Sequence, residues 1–281
     1  MLMKSRASKL TSYIYLLLVP IVTVVLAFAV GHVSYKYYLP IWLLNVSLMI
    51  IACWSLGLRV IRLKNEEESK LAKTAFFLVV PWILVSMFAG LGPPPHTSAE
   101  WTATAKEQQV RYFMLVISGV FIAFGFVGLR DMLKRKGENF YSLLSLTAIL
   151  IAIPLFIINM LYWGFYVTEL FKIHTIVNRS DLPEWVLPTY QLFLLIAVTE
   201  VALTYFATFL IVLAMRKLNW LSKTSGFFYI LFSLLAFVLI ILAGFFQETF
   251  QVGGTVAIPA FPFVMPYLIG VNLLRQVGNK L

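Results

Sequence analysis

The chain has 281 residues, of which 61% are hydrophobic and only 12% are charged, and its formal net charge is +10. Soluble domains have roughly 45–50% apolar and about 25% charged residues, so the composition excludes an ordinary soluble globular protein. The mean hydropathy is +0.90. The apolar residues occur in blocks of about 20, the length that a helix rising 1.5 Å per residue needs to cross a hydrocarbon core of about 30 Å. The sequence therefore predicts an all-α, polytopic bundle of membrane-spanning helices.

Eight apolar segments follow one another along the chain. The polar stretches between them are too short to form a soluble domain, so we expect a single transmembrane domain over residues 1–281. The predicted spans lie near residues 12–31, 40–58, 74–92, 111–129, 142–165, 189–215, 226–246 and 255–274.

The basic residues are divided unequally between alternate loops. With eight spans, 17 of the 22 Lys and Arg residues fall on the side of the N-terminus. The positive-inside rule then predicts that both termini are cytoplasmic, and we expect the plasma (inner) membrane. Attraction to anionic headgroups explains the net charge, so the expected partner is the lipid bilayer and not nucleic acid. The five basic residues predicted on the outer side are Lys36, Lys106, Arg111, Lys172 and Arg179.

The first span has a second interpretation. Lys4, Arg6 and Lys9 precede an apolar stretch that ends in Ala27-Phe28-Ala29, as in a signal peptide with a small-residue cleavage site. The stretch has about 18 residues, however, which is longer than the usual 7–15. Cleavage would also leave an odd number of spans with a weaker charge asymmetry. We therefore interpret this segment as an uncleaved anchor.

Glu200 is the charged residue that the pattern places deepest inside a span, in the sixth. On a helix it shares a face with Ala197, Thr204, Ala207 and Thr208, which are small or polar, so this face should point into the bundle. A carboxylate in mid-membrane costs about 2.5–3.5 kcal/mol on insertion scales, so it must find partners or take up a proton. Glu200, Thr204 and Thr208 are therefore candidates for an intramembrane proton or ion site.

Two interpretations of Glu200 stay open. In the first, the chain is a small permease for an unidentified small solute or ion, and Glu200 binds a proton or a cation. In the second, a protonated Glu200 only hydrogen-bonds a neighbouring helix, through Asn45 or Asn159, in a structural, sensory or accessory subunit.

The eighth predicted span contains Pro259, Pro262 and Pro266 behind Gly253-Gly254. Proline removes a backbone donor and clashes with the preceding turn, so this helix is expected to be kinked or broken. Broken helices form binding sites in transporters, although proline kinks are also common in membrane helices. The three prolines are thus a second candidate feature of a transport path.

Three histidines and one glutamate, His32, His96, His174 and Glu248, fall in predicted outer loops. Imidazole and carboxylate groups can bind zinc or transfer protons, so a membrane-embedded enzyme that acts at the outer face is a third interpretation. The spacing does not support it, because no H-E-x-x-H-like pair occurs. Cys53 is the single cysteine, which excludes an intramolecular disulfide or a cysteine cluster for metal. No motif predicts a catalytic residue, a metal, a cofactor or an oligomeric state.

Overall fold

The computed structural model describes residues 2–62, 65–95, 97–174, 183–245 and 258–279, with side chains from residue 7 onward. Within these ranges every regular element is helical and no strand occurs. Seven helices in the described part of the chain are long and apolar enough to cross a membrane. The predicted fold class, an all-α polytopic helix bundle, is therefore confirmed.

The seven candidate spans correspond in order to the first seven predicted segments. The third begins eight residues before its predicted start because Asn65 caps it, accepting a hydrogen bond from the Glu68 N–H at 3.3 Å. The three glutamates that follow the cap also stabilise this helix start, where the helix dipole is positive. The candidate spans are Ala7–Val30, Tyr35–Leu56, Glu66–Leu91, Ala105–Arg135, Phe140–Ile173, Val186–Lys217 and Lys223–Gly244.

The eighth predicted span differs from the structure. Residues 246–257 lie outside the described ranges, and a 3-10 turn at Phe261–Phe263 precedes the last helix, Val264–Asn279. This helix has 16 residues and is about 24 Å long, which is shorter than a hydrocarbon core of about 30 Å. It begins nine residues later than predicted.

The chain divides into two compact units. The first comprises Met1–Pro93, Val120–Leu143 and Phe263–Leu281, and the second comprises Pro94–Gly119 and Leu144–Pro262. The expectation of a single transmembrane domain over residues 1–281 stays a prediction.

The first unit contains α1 (Leu2–Val30), α2 (Tyr35–Leu56), α3 (Glu66–Val85), the short α4 (Phe88–Leu91) and the last helix, here α11 (Val264–Asn279). The hydroxyl of Tyr267 donates to the Leu16 carbonyl at 2.6 Å, and Nζ of Lys9 donates to the Gly278 carbonyl at 2.5 Å. Helices α1 and α11 are therefore antiparallel. The end of α11 therefore lies at the same end of this unit as Lys9.

Two glycines allow α2 and α11 to approach closely at that end. A Cβ on Gly57 would overlap the carbonyl of Leu274, and a Cβ on Gly278 would overlap the carbonyl of Leu56. Small residues permit this kind of backbone approach between membrane helices. The close contact joins the end of α2 to the end of α11.

The second unit contains α5 (Ser98–Ala103), the start of α6 (Ala105–Arg135), most of α7 (Phe140–Leu161), α8 (Val167–Ile173), α9 (Val186–Lys217) and α10 (Lys223–Phe245). Helices α7 and α8 are joined by a π-helical turn, Tyr162–Tyr166. Helix α9 packs on α10 through an apolar cluster of buried side chains. Its members are Val201, Ala202, Tyr205, Ala236 and Ile240.

Candidate functional site

Helix α9 places Glu200 near the middle of its 32 residues. Pro188 is the third residue of this helix, where the backbone N–H has no intrahelical partner, so proline is compatible with the helix start. Arg216 and Lys217 lie in the last turn, where positive charge is favourable for the helix dipole. The helix between these ends is continuous, and the side chain of Glu200 is only 1% exposed.

Glu200 is hydrogen-bonded to Asn159 of α7. Nδ2 of Asn159 donates to Oε1 of Glu200 at 2.9 Å, and Asn159 is also buried. A second bond joins the same two helices, because Oγ of Ser145 donates to the carbonyl of Ala207 at 2.7 Å. Helices α7 and α9 are thus connected at two buried polar contacts within the second unit.

Two oxygen atoms of this pair have no hydrogen-bond partner among the described residues. They are Oε2 of Glu200 and Oδ1 of Asn159. Both are acceptors when Glu200 is ionised, so they cannot bond to each other in that state. A buried acceptor without a donor costs about 1–3 kcal/mol. One proton on Oε2, or one cation near both oxygens, would supply the missing partner.

Thr204 and Thr208 are buried on the same helix as Glu200. The hydroxyl of Thr204 donates to the backbone carbonyl of Glu200 at 2.8 Å, and that of Thr208 donates to the carbonyl of Thr204 at 2.8 Å. Each hydroxyl proton is therefore used within α9, although the threonine oxygens retain lone pairs. Thr204 therefore lies one turn from Glu200 and Thr208 two turns, about 12 Å along the axis, and both are bonded to the backbone of α9.

Asn45, the other partner considered from the sequence, belongs to the first unit. Its Oδ1 accepts from the hydroxyl of Tyr15 at 2.6 Å, and its Nδ2 donates to the sulfur of Met49 at 3.6 Å. Asn159, and not Asn45, is the asparagine that the structure bonds to Glu200.

The helix that carries Asn159 is irregular on both sides of it. Pro154 lies inside α7 and removes one backbone donor, and the π-helical turn begins at Tyr162, three residues after Asn159. Such turns frequently occur at functional sites. The ring of Tyr162 stacks on Phe193 of α9, with ring centroids 3.7 Å apart. Pro154 was visible in the sequence, whereas no sequence signal indicated the π-helical turn.

Arg111 is a buried residue that the sequence assigned to the outer end of the fourth span. Helix α6 begins at Ala105, so Arg111 lies almost two turns inside it and is only 3% exposed. Gln108, one turn earlier, is also buried and donates to the hydroxyl of Thr104 at 3.1 Å. The second unit therefore contains a buried basic side chain in addition to Glu200.

The outer-face candidates are only partly described. His32 lies between α1 and α2 in the first unit, and His174 follows α8 in the second. His96 and Glu248 lie outside the described residues. Among the described residues, no group of three or more His, Cys, Asp or Glu side chains is arranged to hold a metal ion.

The three prolines of the eighth predicted span precede or begin α11. Pro259 is in a turn, Pro262 is in the 3-10 turn, and Pro266 is the third residue of the helix. Because the first four N–H groups of a helix have no intrahelical partner, Pro266 removes no backbone bond. The helix therefore starts at these prolines and is not kinked by them.

Comparison of the chain with protein-family models, with curated proteins and with solved structures finds no match. The functional argument consequently depends on the residues of this chain alone.

Proposed function

We propose that this protein is a small membrane permease in which Glu200 binds and releases a proton or a cation as a small solute or ion crosses. One observation carries the proposal: among the residues that the structure describes, Oε2 of Glu200 and Oδ1 of Asn159 are buried acceptors without a donor, on two side chains that are hydrogen-bonded to each other. Intramembrane carboxyl groups commonly mark proton relays and ion paths. The Glu200–Asn159 pair links α7 to α9. Binding or release of a proton or cation at this pair therefore alters the contact between two spans.

A hydrogen bond such as Glu200–Asn159 is also found where two membrane helices are only held together and no transport occurs. Side-chain hydrogen bonds between membrane helices contribute about 0.6 kcal/mol on average and at most about 1.7 kcal/mol. In a structural or accessory subunit the pair would hold α7 and α9 together and never meet water. The two functions therefore differ in one property, which is the access of water to position 200.

Thiol labelling measures that access. Glu200→Cys is prepared in a Cys53→Ala background, because Cys53 is the single native cysteine. A membrane-impermeant thiol reagent is then added from one side and, in separate vesicles, from the other. Two matched controls are Leu195→Cys, at a position 61% exposed on the surface of α9, and Val201→Cys, at a position 2% exposed.

We expect the cysteine at position 200 to react from at least one side, while those at positions 195 and 201 stay unlabelled. Lipid surrounds position 195, and packed side chains exclude the reagent from position 201. If position 200 is unreactive from both sides in a protein that remains folded, the permease is excluded and the structural function is favoured.

The predicted orientation is part of the same proposal. Both termini are cytoplasmic in the plasma (inner) membrane, supported by the basic residues of alternate loops and by the antiparallel contact of α1 with α11. A protease site added at either end of the chain is expected to be cleaved only from the cytoplasmic side. Cleavage of the two ends from opposite sides would refute this orientation.

A further inference from the structure

The first unit contains a cavity of about 420 Å³ between α1, α2 and the segment that joins α3 to α4. Every residue that lines it belongs to this unit, whereas Glu200 belongs to the second. Ligand sites commonly have volumes of about 300–1,000 Å³ and mostly apolar walls. The walls here are largely aliphatic and aromatic. Examples are Val19, Val22 and Leu26 of α1, Ile41 and Trp42 of α2, and Met87.

An interruption of the third span forms one wall of the cavity. Helix α3 ends at Val85 and α4 begins at Phe88, and the Met87 N–H bonds to the carbonyl of Leu84. The carbonyl of Ile83 thereby loses the partner that a continuous helix would give it. Oγ of Ser86 donates to it at 2.8 Å and Nε1 of Trp42 donates to it at 3.2 Å. A break inside a span is tolerated when its backbone groups are satisfied in this way.

Glycines fix the rim of the cavity where α1 leads into α2. The N–H of Val33 donates to the carbonyl of Gly90 at 2.9 Å. Gly31 and Gly92 have φ values of +73° and +65°, a conformation that favours glycine, and a Cβ on Gly92 would overlap the backbone of Gly31. A Cβ on Gly90 would overlap the side chain of Tyr38. Close packing therefore holds the rim in one arrangement.

The cavity is long. Its lining on α1 extends from Tyr15 to Val30, which corresponds to about 22 Å along the helix. A volume of about 420 Å³ over that length gives the centres of water-sized groups a cross-section of about 19 Å². A hydrocarbon chain therefore has room to lie along the cavity.

The cavity also opens sideways. Val22 and Ile41 line it, yet they are 48% and 68% exposed on the surfaces of two candidate membrane spans. At this depth the surrounding medium is hydrocarbon. The polar side chains at one end satisfy each other, because the hydroxyl of Tyr15 donates to Asn45 at 2.6 Å. Water has few partners in an apolar cavity of this kind.

We infer that this cavity binds one acyl chain of a membrane phospholipid, which enters between α1 and α2. The apolar walls, the length of about 22 Å along α1 and the opening toward the bilayer all fit this occupant. The lipid is held by burial of its chain, and Gly90 and Gly92 are closely packed at the rim of the site.

Native mass spectrometry of the full-length protein in mild detergent tests this inference. Val22→Trp fills the cavity, and Val25→Trp is the matched control, because Val25 lies on the same helix, is 56% exposed and does not line the cavity. We expect one phospholipid to be retained by the wild type and by Val25→Trp, and to be lost from Val22→Trp.

A second pair of variants, on α2, shows whether a folding defect of Val22→Trp explains its loss of lipid. Ile41 lines the cavity and Leu44 does not, and they are 68% and 62% exposed. Ile41→Trp should lose the lipid, and Leu44→Trp should keep it. Equal retention by cavity-filling and control variants would overturn the inference, as would a wild type that retains no phospholipid or retains a different kind of molecule.

Discussion

Replacing Asn159 with Leu should destabilise the protein more than a typical hydrogen bond between membrane helices would suggest. The substitution removes the 2.9 Å bond to Glu200, which accounts for about 0.6–1.7 kcal/mol. It also leaves Oε1 of Glu200, a residue that is 1% exposed, without that donor, at a cost of about 1–3 kcal/mol. We therefore expect a loss of about 2–5 kcal/mol in the free energy of unfolding.

The double variant Asn159→Leu/Glu200→Leu should recover most of this loss, because replacing both partners by apolar groups can be nearly neutral. Reversible unfolding in mixed micelles, followed by circular dichroism, gives the free energies. Ile158→Leu, a change at a position 49% exposed on the same helix, is the control and should stay within about 0.5 kcal/mol of the wild type. A single Asn159→Leu variant as stable as this control, or additive effects in the double variant, would refute the reasoning.

Three further predictions follow from packing and hydrogen bonds. Gly278→Ala places a Cβ on a backbone carbonyl of α2 and should lower the free energy of unfolding by about 1–3 kcal/mol in the same assay. Ser145→Ala removes a bond between α7 and α9 and should cost about 0.6 kcal/mol, whereas Ser47→Ala, whose hydroxyl bonds only its own helix, should cost less. Gly92→Ala should disturb the rim of the cavity and reduce the phospholipid retained in native mass spectra.

The helical fold could be predicted because the bilayer dictates the length of a span. Apolar blocks of about 20 residues located seven of the long helices to within several residues. The same criterion was misleading near the C-terminus, where residues 258–263 are apolar enough to be counted although they form turns and the last helix begins only at Val264. Hydropathy measures how apolar a segment is. It does not indicate at which residue the backbone hydrogen bonding of a helix begins.

The site could be predicted only in part. A single carboxyl in an apolar span is visible in the sequence, and so are the asparagines of other spans. Which asparagine bonds to Glu200 depends on which helices are neighbours, and no pattern within one span contains that information. The sequence put the start of the fourth span at Arg111, although helix α6 begins six residues earlier, at Ala105, and Arg111 is buried. The cavity depends on a turn at Ser86 and Met87, where neither proline nor glycine stands.

The break in the third span was also not predictable from the local sequence. The sequence directed attention to three prolines near the C-terminus. Pro259 and Pro262 precede α11, and Pro266 lies in its first turn, where it removes no backbone bond. The interruption at Ser86 and Met87 instead depends on two donors, one from the next turn and one from the indole of Trp42. A donor from another helix cannot be inferred from local sequence.

Infrared spectroscopy of the protein in liposomes tests most directly whether Glu200 is a proton-binding carboxyl. Spectra are recorded over a range of pH for the wild type, for Glu200→Gln and for Glu138→Gln. Glu138 is the control because it is also buried, but its oxygens accept the N–H groups of Tyr141 and Ser142 at 3.0 Å. Above about pH 6, where exposed carboxyl groups are ionised, we expect a protonated-carboxyl band that changes with pH in the wild type and in Glu138→Gln, and that is absent from Glu200→Gln. Identical spectra for the wild type and Glu200→Gln at every pH would contradict the proposed proton site.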